Sequence, residues 1–220
     1  MKVFYINLDE RTDRKEHMEK MLSNLNLKYE RFSAVKASPD VIKTEYNKFY
    51  ENCVPRFKKY INSKNKNVVK RGVGAFGCYM SHFKIHKIME QENTGPYMIL
   101  EDDVIIRQST LDELYLLVNK LKDDWDMIRS TWNCTNELIK IKGVNFESRF
   151  TKDSSIVHSE YGGTHFTLFN NPKRIIDYLS SENLFSIDAV YYTDYLNVYR
   201  KKLNVKIYPF DSSIPKYEET

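Results

Sequence analysis

Val3, Phe4, Tyr5, Ile6 and Leu8 form a near-continuous apolar run, and a second strand, Tyr29 to Val35, comes only after a segment of different period. A run that is apolar at both parities is what a strand buried on both faces requires. Between the two, Asp9 to Asp13 is polar. From about Asp13 to Leu25, the residues Met18, Met21, Leu22 and Leu25 recur at helical spacing. Strand, helix, strand in that order predicts a parallel sheet with helices against it, an α/β fold.

The rest of the chain keeps the same alternation. Gly74 to Gln91 reads as a helix, Gly95-Pro96 breaks it, and Tyr97 to Leu100 reads as a short buried strand. Thr110 to Leu121 reads as a helix, Asp126 to Arg129 as a strand, and residues 137 to 170 as strand-like pieces. Asn171-Pro172 opens a helix to about Leu179, Ile187 to Leu203 reads as a last long helix, and Val205 to Tyr208 as a strand. Residues 36 to 72 carry Arg56, Lys58, Lys59, Lys64, Lys66, Lys70 and Arg71 among Asn and Ser. They read as a loop excursion, either a solvated surface or a flap over an anionic ligand. No repeat or linker interrupts the pattern, so residues 1–220 are expected to form one domain.

Composition bounds the function. With 41% hydrophobic and 14% aromatic residues the chain can bury a core, which excludes a disordered or low-complexity protein. A net charge of +4 admits an anionic ligand without demanding a nucleic acid, and no base-stacking motif is present. The three cysteines, Cys53, Cys78 and Cys134, show no metal or disulfide spacing. No apolar run approaches the ~20 residues of a membrane span, and no signal-peptide core fits the opening residues. A cytoplasmic location is expected.

Glu101-Asp102-Asp103 follows the apolar strand Tyr97 to Leu100 directly. In open α/β sheets the carboxyl ends of the strands are where ligands bind. Adjacent carboxylates repel one another unless a cation sits among them, and Mg²⁺ or Mn²⁺ with oxygen ligands relieves that repulsion. An acidic turn or helix cap is the alternative. Arg11 and Arg14 near the start of the first helix match phosphate geometry, or serve as surface ion pairs to Asp9, Glu10 or Asp13. Ser81 and His82 either hydrogen-bond a ligand or tie helix to sheet; His82 and His86 share a helix face without a zinc-protease motif. Gly162-Gly163-Thr164-His165 allows close backbone approach or a hairpin turn. Asp188 is a helix cap or a general base. Tyr191, Tyr195 and Tyr199 are helix-spaced, for core packing or a sugar-stacking face.

Taken together and in this order, these stretches resemble glycosyltransferase family 25, which includes lipopolysaccharide-type and procollagen galactosyltransferases. The matching residues are Ile6-Asn7-Leu8 with Arg11, Asp13 and Arg14; Gly74, Gly77, Cys78, Ser81 and His82; Leu100 to Asp103; Gly163-Thr164; and Ile187-Asp188. Ala75 and Phe76 stand where the family's helix motif has Glu and Ile, and the chain is short for the family.

The resemblance implies a GT-A type, Rossmann-like α/β/α sandwich with a mostly parallel central sheet. It also implies metal-dependent, inverting transfer of galactose or glucose from a UDP-sugar to a hydroxyl on a glycan, lipid-linked or collagen-like acceptor. On that resemblance Asp103 binds Mn²⁺ or Mg²⁺. Glu101, Asp102, Asn7, Leu8, Arg11, Arg14, Ser81 and His82 bind the donor nucleotide. Asp188, with Asp194 in reserve, is the base. A catalytically inactive relative that binds a sugar nucleotide or glycan is the alternative.

Overall fold

The protein is described from a computed structural model, which covers residues 1–53, 55–93, 95–130, 139–140, 164–181, 187 and 195–207. The opening segment folds as expected: strand β1 (Lys2–Asn7), helix α1 (Thr12–Asn24) and strand β2 (Tyr29–Ser33), with β1 and β2 parallel. Three short helices follow, α2 (Pro39–Thr44), α3 (Asn47–Asn52) and α4 (Pro55–Ile61), and then the long helix α5 (Lys66–Glu92). Strand β3 (Tyr97–Glu101) leads into the short strand β4 (Val104–Ile105) and helix α6 (Gln108–Leu121). Next come β5 (Met127–Ser130), β6 (Ile139–Lys140), β7 (Phe166–Phe169), helix α7 (Pro172–Ser181), β8 (Val198–Arg200) and β9 (Lys206–Ile207).

The main sheet has the order β2-β1-β3-β7-β5-β8-β6. Strands β2, β1, β3, β5 and β8 run one way, and β7 and β6 run against them. The sheet is thus mostly parallel, as expected. β4 and β9 pair separately and antiparallel.

Alternate residues of the sheet face two cores. Phe4, Tyr97, Ile99, Met127 and Phe169 pack with Phe76, Tyr79, Ile85 and Met89 of α5 and with Ile175 and Leu179 of α7. Val3, Tyr5, Met98, Leu100 and Leu168 pack with Met18 and Leu22 of α1 and with Leu111, Leu114 and Leu117 of α6. Helices therefore cover both faces. This double burial is why β1 and β3 lack polar alternation until their carboxyl ends. Among the described residues, no helix is long and apolar enough to cross a membrane.

Two expectations need correction. Residues 36 to 72 are not a loop. Ser38 caps α2 by accepting from the Val41 amide, and Ile42, Cys53, Phe57 and Ile61 are buried against the α5 core. Phe49 meets both Phe57 and Phe76 edge-on, at 5.6 and 5.1 Å between ring centres. The cations hide this sparse apolar pattern. α5 also starts eight residues earlier than Gly74, where the Asn65 side chain accepts from the Asn67 amide. The second correction is that Ile187 to Leu203 does not continue as one helix, because Val198–Arg200 is a strand parallel to β5. The Asn197 amide donates to the Asp126 carboxylate at 2.7 Å, and Val198 then fills a fully buried sheet position. Tyr199 accordingly packs under the sheet, while Tyr195 stacks on Tyr178 and is half exposed.

Candidate active site

β1 and β3 are adjacent and parallel, with Ile6 opposite Glu101, so Asn7 and the acidic triplet lie together at the carboxyl edge of the sheet. The triplet divides in the turn between β3 and β4, which holds Asp102 and Asp103. Asp102 turns to the α1 side, where its Oδ1 accepts from Arg14 Nη1 at 2.6 Å and its Oδ2 from Asn7 Nδ2 at 2.8 Å. It is 8% exposed. Burial pushes its carboxyl up, against the opposing pull of Arg14 and Asn7.

Asn7 is a three-way junction. Its Nδ2 donates to Asp102 and to the Arg11 carbonyl at 3.1 Å, while its Oδ1 accepts from Arg31 Nε at 3.0 Å. Arg31 reaches on to Asp9.

Glu101 and Asp103 converge on a residue from another strand. β7 runs antiparallel beside β3, and the Glu101 amide donates to the His165 carbonyl at 3.0 Å. This brings His165 Nδ1 to 2.8 Å from Glu101 Oε2 and 3.3 Å from Asp103 Oδ1. Thr164 Oγ1 donates to the other Glu101 oxygen. Burial disfavours the His165 cation, yet the two carboxylates outweigh it and hold the imidazole well above the usual histidine range. Burial likewise pushes Glu101 up, but His165 and Thr164 together hold it below the ordinary carboxylate value. Arg14 Nη1 lies 3.7 Å from Asp103 Oδ2, so cations flank Asp103 on two sides.

The remaining expected residues lie around this centre. The Leu8 carbonyl accepts from the Arg11 amide, and Arg11 forks onto Asp13 at the exposed rim. Ser81 Oγ donates to the Gly77 carbonyl at 2.7 Å and accepts from the Val35 amide at 2.8 Å, so it ties α5 to the chain after β2. A Cβ on Gly77 would lie 2.4 Å from the Val35 carbonyl, so only glycine permits this approach. His82 is fully buried under the site, and burial, with Arg129 nearby, lowers it to about 4. Asp188, Asp194 and Gly162-Gly163 lie outside the described residues.

Among the described residues, two groups of side chains have ligand atoms that all lie within 4.8 Å of one another: Glu101, Asp103 and His165, and Cys78, His82 and Glu101. The first offers two hard carboxylate oxygens beside an imidazole, a donor set that suits Mg²⁺ or Mn²⁺. The second includes a thiol, which suits softer ions.

Sequence reasoning missed Arg31, and it left His165 and Thr164 out of the site. Arg31 carries no local signal, because its partners come from β1. The His165 signal was present in the Gly-Gly-Thr-His run before the apolar Phe166 to Phe169.

The chain matches the profile of Glycosyltransferase family 25 (LPS biosynthesis protein) over residues 1–180. It is similar to Procollagen galactosyltransferase 1-A of Xenopus laevis, at 29% identity over 129 residues, 57% of this chain and 20% of that protein. It is also similar to a Glycosyltransferase 25 family member of Anopheles gambiae, at 30% identity over 102 residues, 46% of this chain and 16% of that protein. A family member of Drosophila melanogaster is 29% identical over 103 residues, 47% of this chain and 16% of that protein. The chain therefore spans a fifth or less of the length of these curated relatives.

Proposed function

Because the chain belongs to glycosyltransferase family 25, we propose that it transfers a hexose from a UDP-sugar to a hydroxyl, with inversion, on a GT-A type domain. Galactose is the favoured hexose, since procollagen galactosyltransferases are among the similar proteins, and glucose is the second choice. The acceptor is a glycan, lipid-linked or collagen-like hydroxyl. Three cysteines without disulfide spacing support a cytoplasmic setting for the reaction.

One observation supports this reading above the rest: Glu101 and Asp103 face one centre while Asp102 is tied back to Asn7 and Arg14. Carboxylates so arranged fit a hard divalent cation, which when bound supplies counter-charge for a diphosphate leaving group. In this reading Asp103 and Glu101 hold the ion. Arg14 and His165 keep both carboxylates aimed and partly neutralised in its absence. Asn7 and Asp102 fix Arg14 and the strand ends. Leu8 and Arg11 take the uridine and phosphate side at the rim. Ser81 and His82 support the site from α5. Asp188, with Asp194 in reserve, takes the acceptor proton from the face opposite the leaving group.

Calorimetric titration of UDP with Mn²⁺, with Mg²⁺ and with EDTA, on wild type and Asp103→Ala, tests this. Metal-dependent binding that is lost in Asp103→Ala is the expected result. No UDP binding under any condition overturns the UDP-sugar reading. Binding without turnover on any acceptor identifies an inactive relative, which Ala75 in the α5 motif makes a specific alternative.

A further inference from the structure

Residues 36 to 71 hold ten Lys and Arg against three Asp and Glu, a net +7 that exceeds the +4 of the whole chain. From Asn52 to Met89 there is no acidic residue at all. The structure turns this stretch into a helical hairpin. α4 and the start of α5 pack so closely that a Cβ on Gly72 would lie 2.9 Å from Tyr60 Cβ. Phe57 and Ile61 point inward and are buried. Lys59 on α4, Lys64 at the tip, and Lys66, Lys70 and Arg71 on α5 are all exposed.

Lys59 sits in the last turn of α4, where a cation suits the helix dipole, but helix stability does not account for the cations of α5. The amino end of a helix carries positive partial charge and prefers Asp or Glu in its first turn. α5 has no acid there and begins at Lys66. Among the described residues, Glu51 of α3 reaches Lys58 at 3.6 Å.

We propose that the exposed face of the α4–α5 hairpin docks on an anionic lipid bilayer. Five of the seven cations in residues 55 to 71 are lysines, whose mobile ammonium groups respond to charge density rather than to a fixed phosphate geometry. Base stacking, the alternative use of a basic aromatic surface, needs open ring faces. Here the Tyr60 ring carries Arg56 at 5.6 Å and the Tyr50 ring carries Lys58 at 5.5 Å. Tyrosines in that setting suit the polar–apolar boundary of a membrane. α5 runs from this hairpin into the active site, with Arg71 about 10 Å along the axis from Cys78. Docking would hold the site close to acceptors displayed at the membrane surface, a consequence that rests on the transferase reading above.

The test is flotation of the full chain with vesicles of phosphatidylcholine alone and of phosphatidylcholine with phosphatidylglycerol, at low and high salt. Wild type is expected to float with the anionic vesicles alone and to be released by salt. Each cation removed should cost about fivefold in partition, so the combined Lys59→Glu, Lys64→Glu, Lys66→Glu and Lys70→Glu variant should lose more than about a hundredfold. Its circular dichroism and UDP binding should match wild type. No flotation, equal flotation with neutral vesicles, or flotation of the variant like wild type would overturn the proposal. So would displacement of the chain from anionic vesicles by poly(U) RNA at stoichiometric amounts. Flotation is read without donor or turnover. A chain that floats but binds no UDP therefore sinks the transferase reading alone, and one that binds UDP but does not float sinks only the docking.

Discussion

At the ends of β1 and β3, Arg14 lies 2.6 Å from Asp102 and 3.7 Å from Asp103, and His165 lies 2.8 Å from Glu101 and 3.3 Å from Asp103. On the α4–α5 hairpin seven cations stand along residues 55 to 71 with no acid between them. The difference follows from solvent. Charges that leave water need a partner of opposite sign, or the structure loses several kcal/mol. Charges that stay in water need none, because screening makes their repulsion small. The strand-end charges are thus bound up with the fold, whereas Lys59, Lys64 and Lys66 of the hairpin stand exposed to solvent.

The comparison breaks most visibly at Asp102. Asp102→Ala removes the nearer carboxylate from Arg14, leaving Asp103 at 3.7 Å, and should cost about 2–3 kcal/mol in urea unfolding; a loss below about 1 kcal/mol would mean the pair is solvated after all. Asp103→Ala should leave that stability nearly intact and reduce transfer by a factor of about 10²–10³ in a donor-hydrolysis or transfer assay. Gly77→Ala forces α5 away from the Val35 carbonyl and should destabilise by about 1–3 kcal/mol, read as a lower melting temperature.

A pH series sharpens the comparison further. The folded His165 value is raised, so its contribution is complete below the ordinary 6.5 and fades as pH climbs through the folded value. The folded Glu101 value is lowered, so its share is complete above the ordinary 4.5 and fades as pH falls through the folded value. In EDTA, the stability gap between wild type and His165→Gln should therefore be widest between about pH 4.5 and 6.5. A gap that does not change with pH would show that the ion pair does not form. The smallest effect belongs to the hairpin: Lys66→Glu with Lys70→Glu should shift stability by less than about 0.5 kcal/mol, in the stabilising direction at low salt.

Much of this architecture was legible in the residues. The apolar runs at Val3 and Tyr97 and the helix between Asp13 and Leu25 are local patterns, and local patterns survive folding when nothing opposes them. Two segments were misread for the same reason. Ile42 and Phe49 stand singly, and Phe57 and Ile61 are one i,i+4 pair, too few to mark helices until Phe76 and Tyr79 of α5 supply a surface to bury them. Val198 to Arg200 looks helical until β5 offers it a parallel edge.

For the site, the sequence alone determined that three carboxylates follow a buried strand, because a strand's composition and its carboxyl end are contiguous in the chain. It could not determine which of them turns inward. That was decided by the tertiary structure, through the turn that follows β3 and the neighbours it meets there. Asn7 and Arg14 claim Asp102 from one side, and His165, sixty-two residues downstream of Asp103, draws Glu101 and Asp103 to the other. Charge partners are chosen by proximity in space, and only the folded sheet brings these strands side by side.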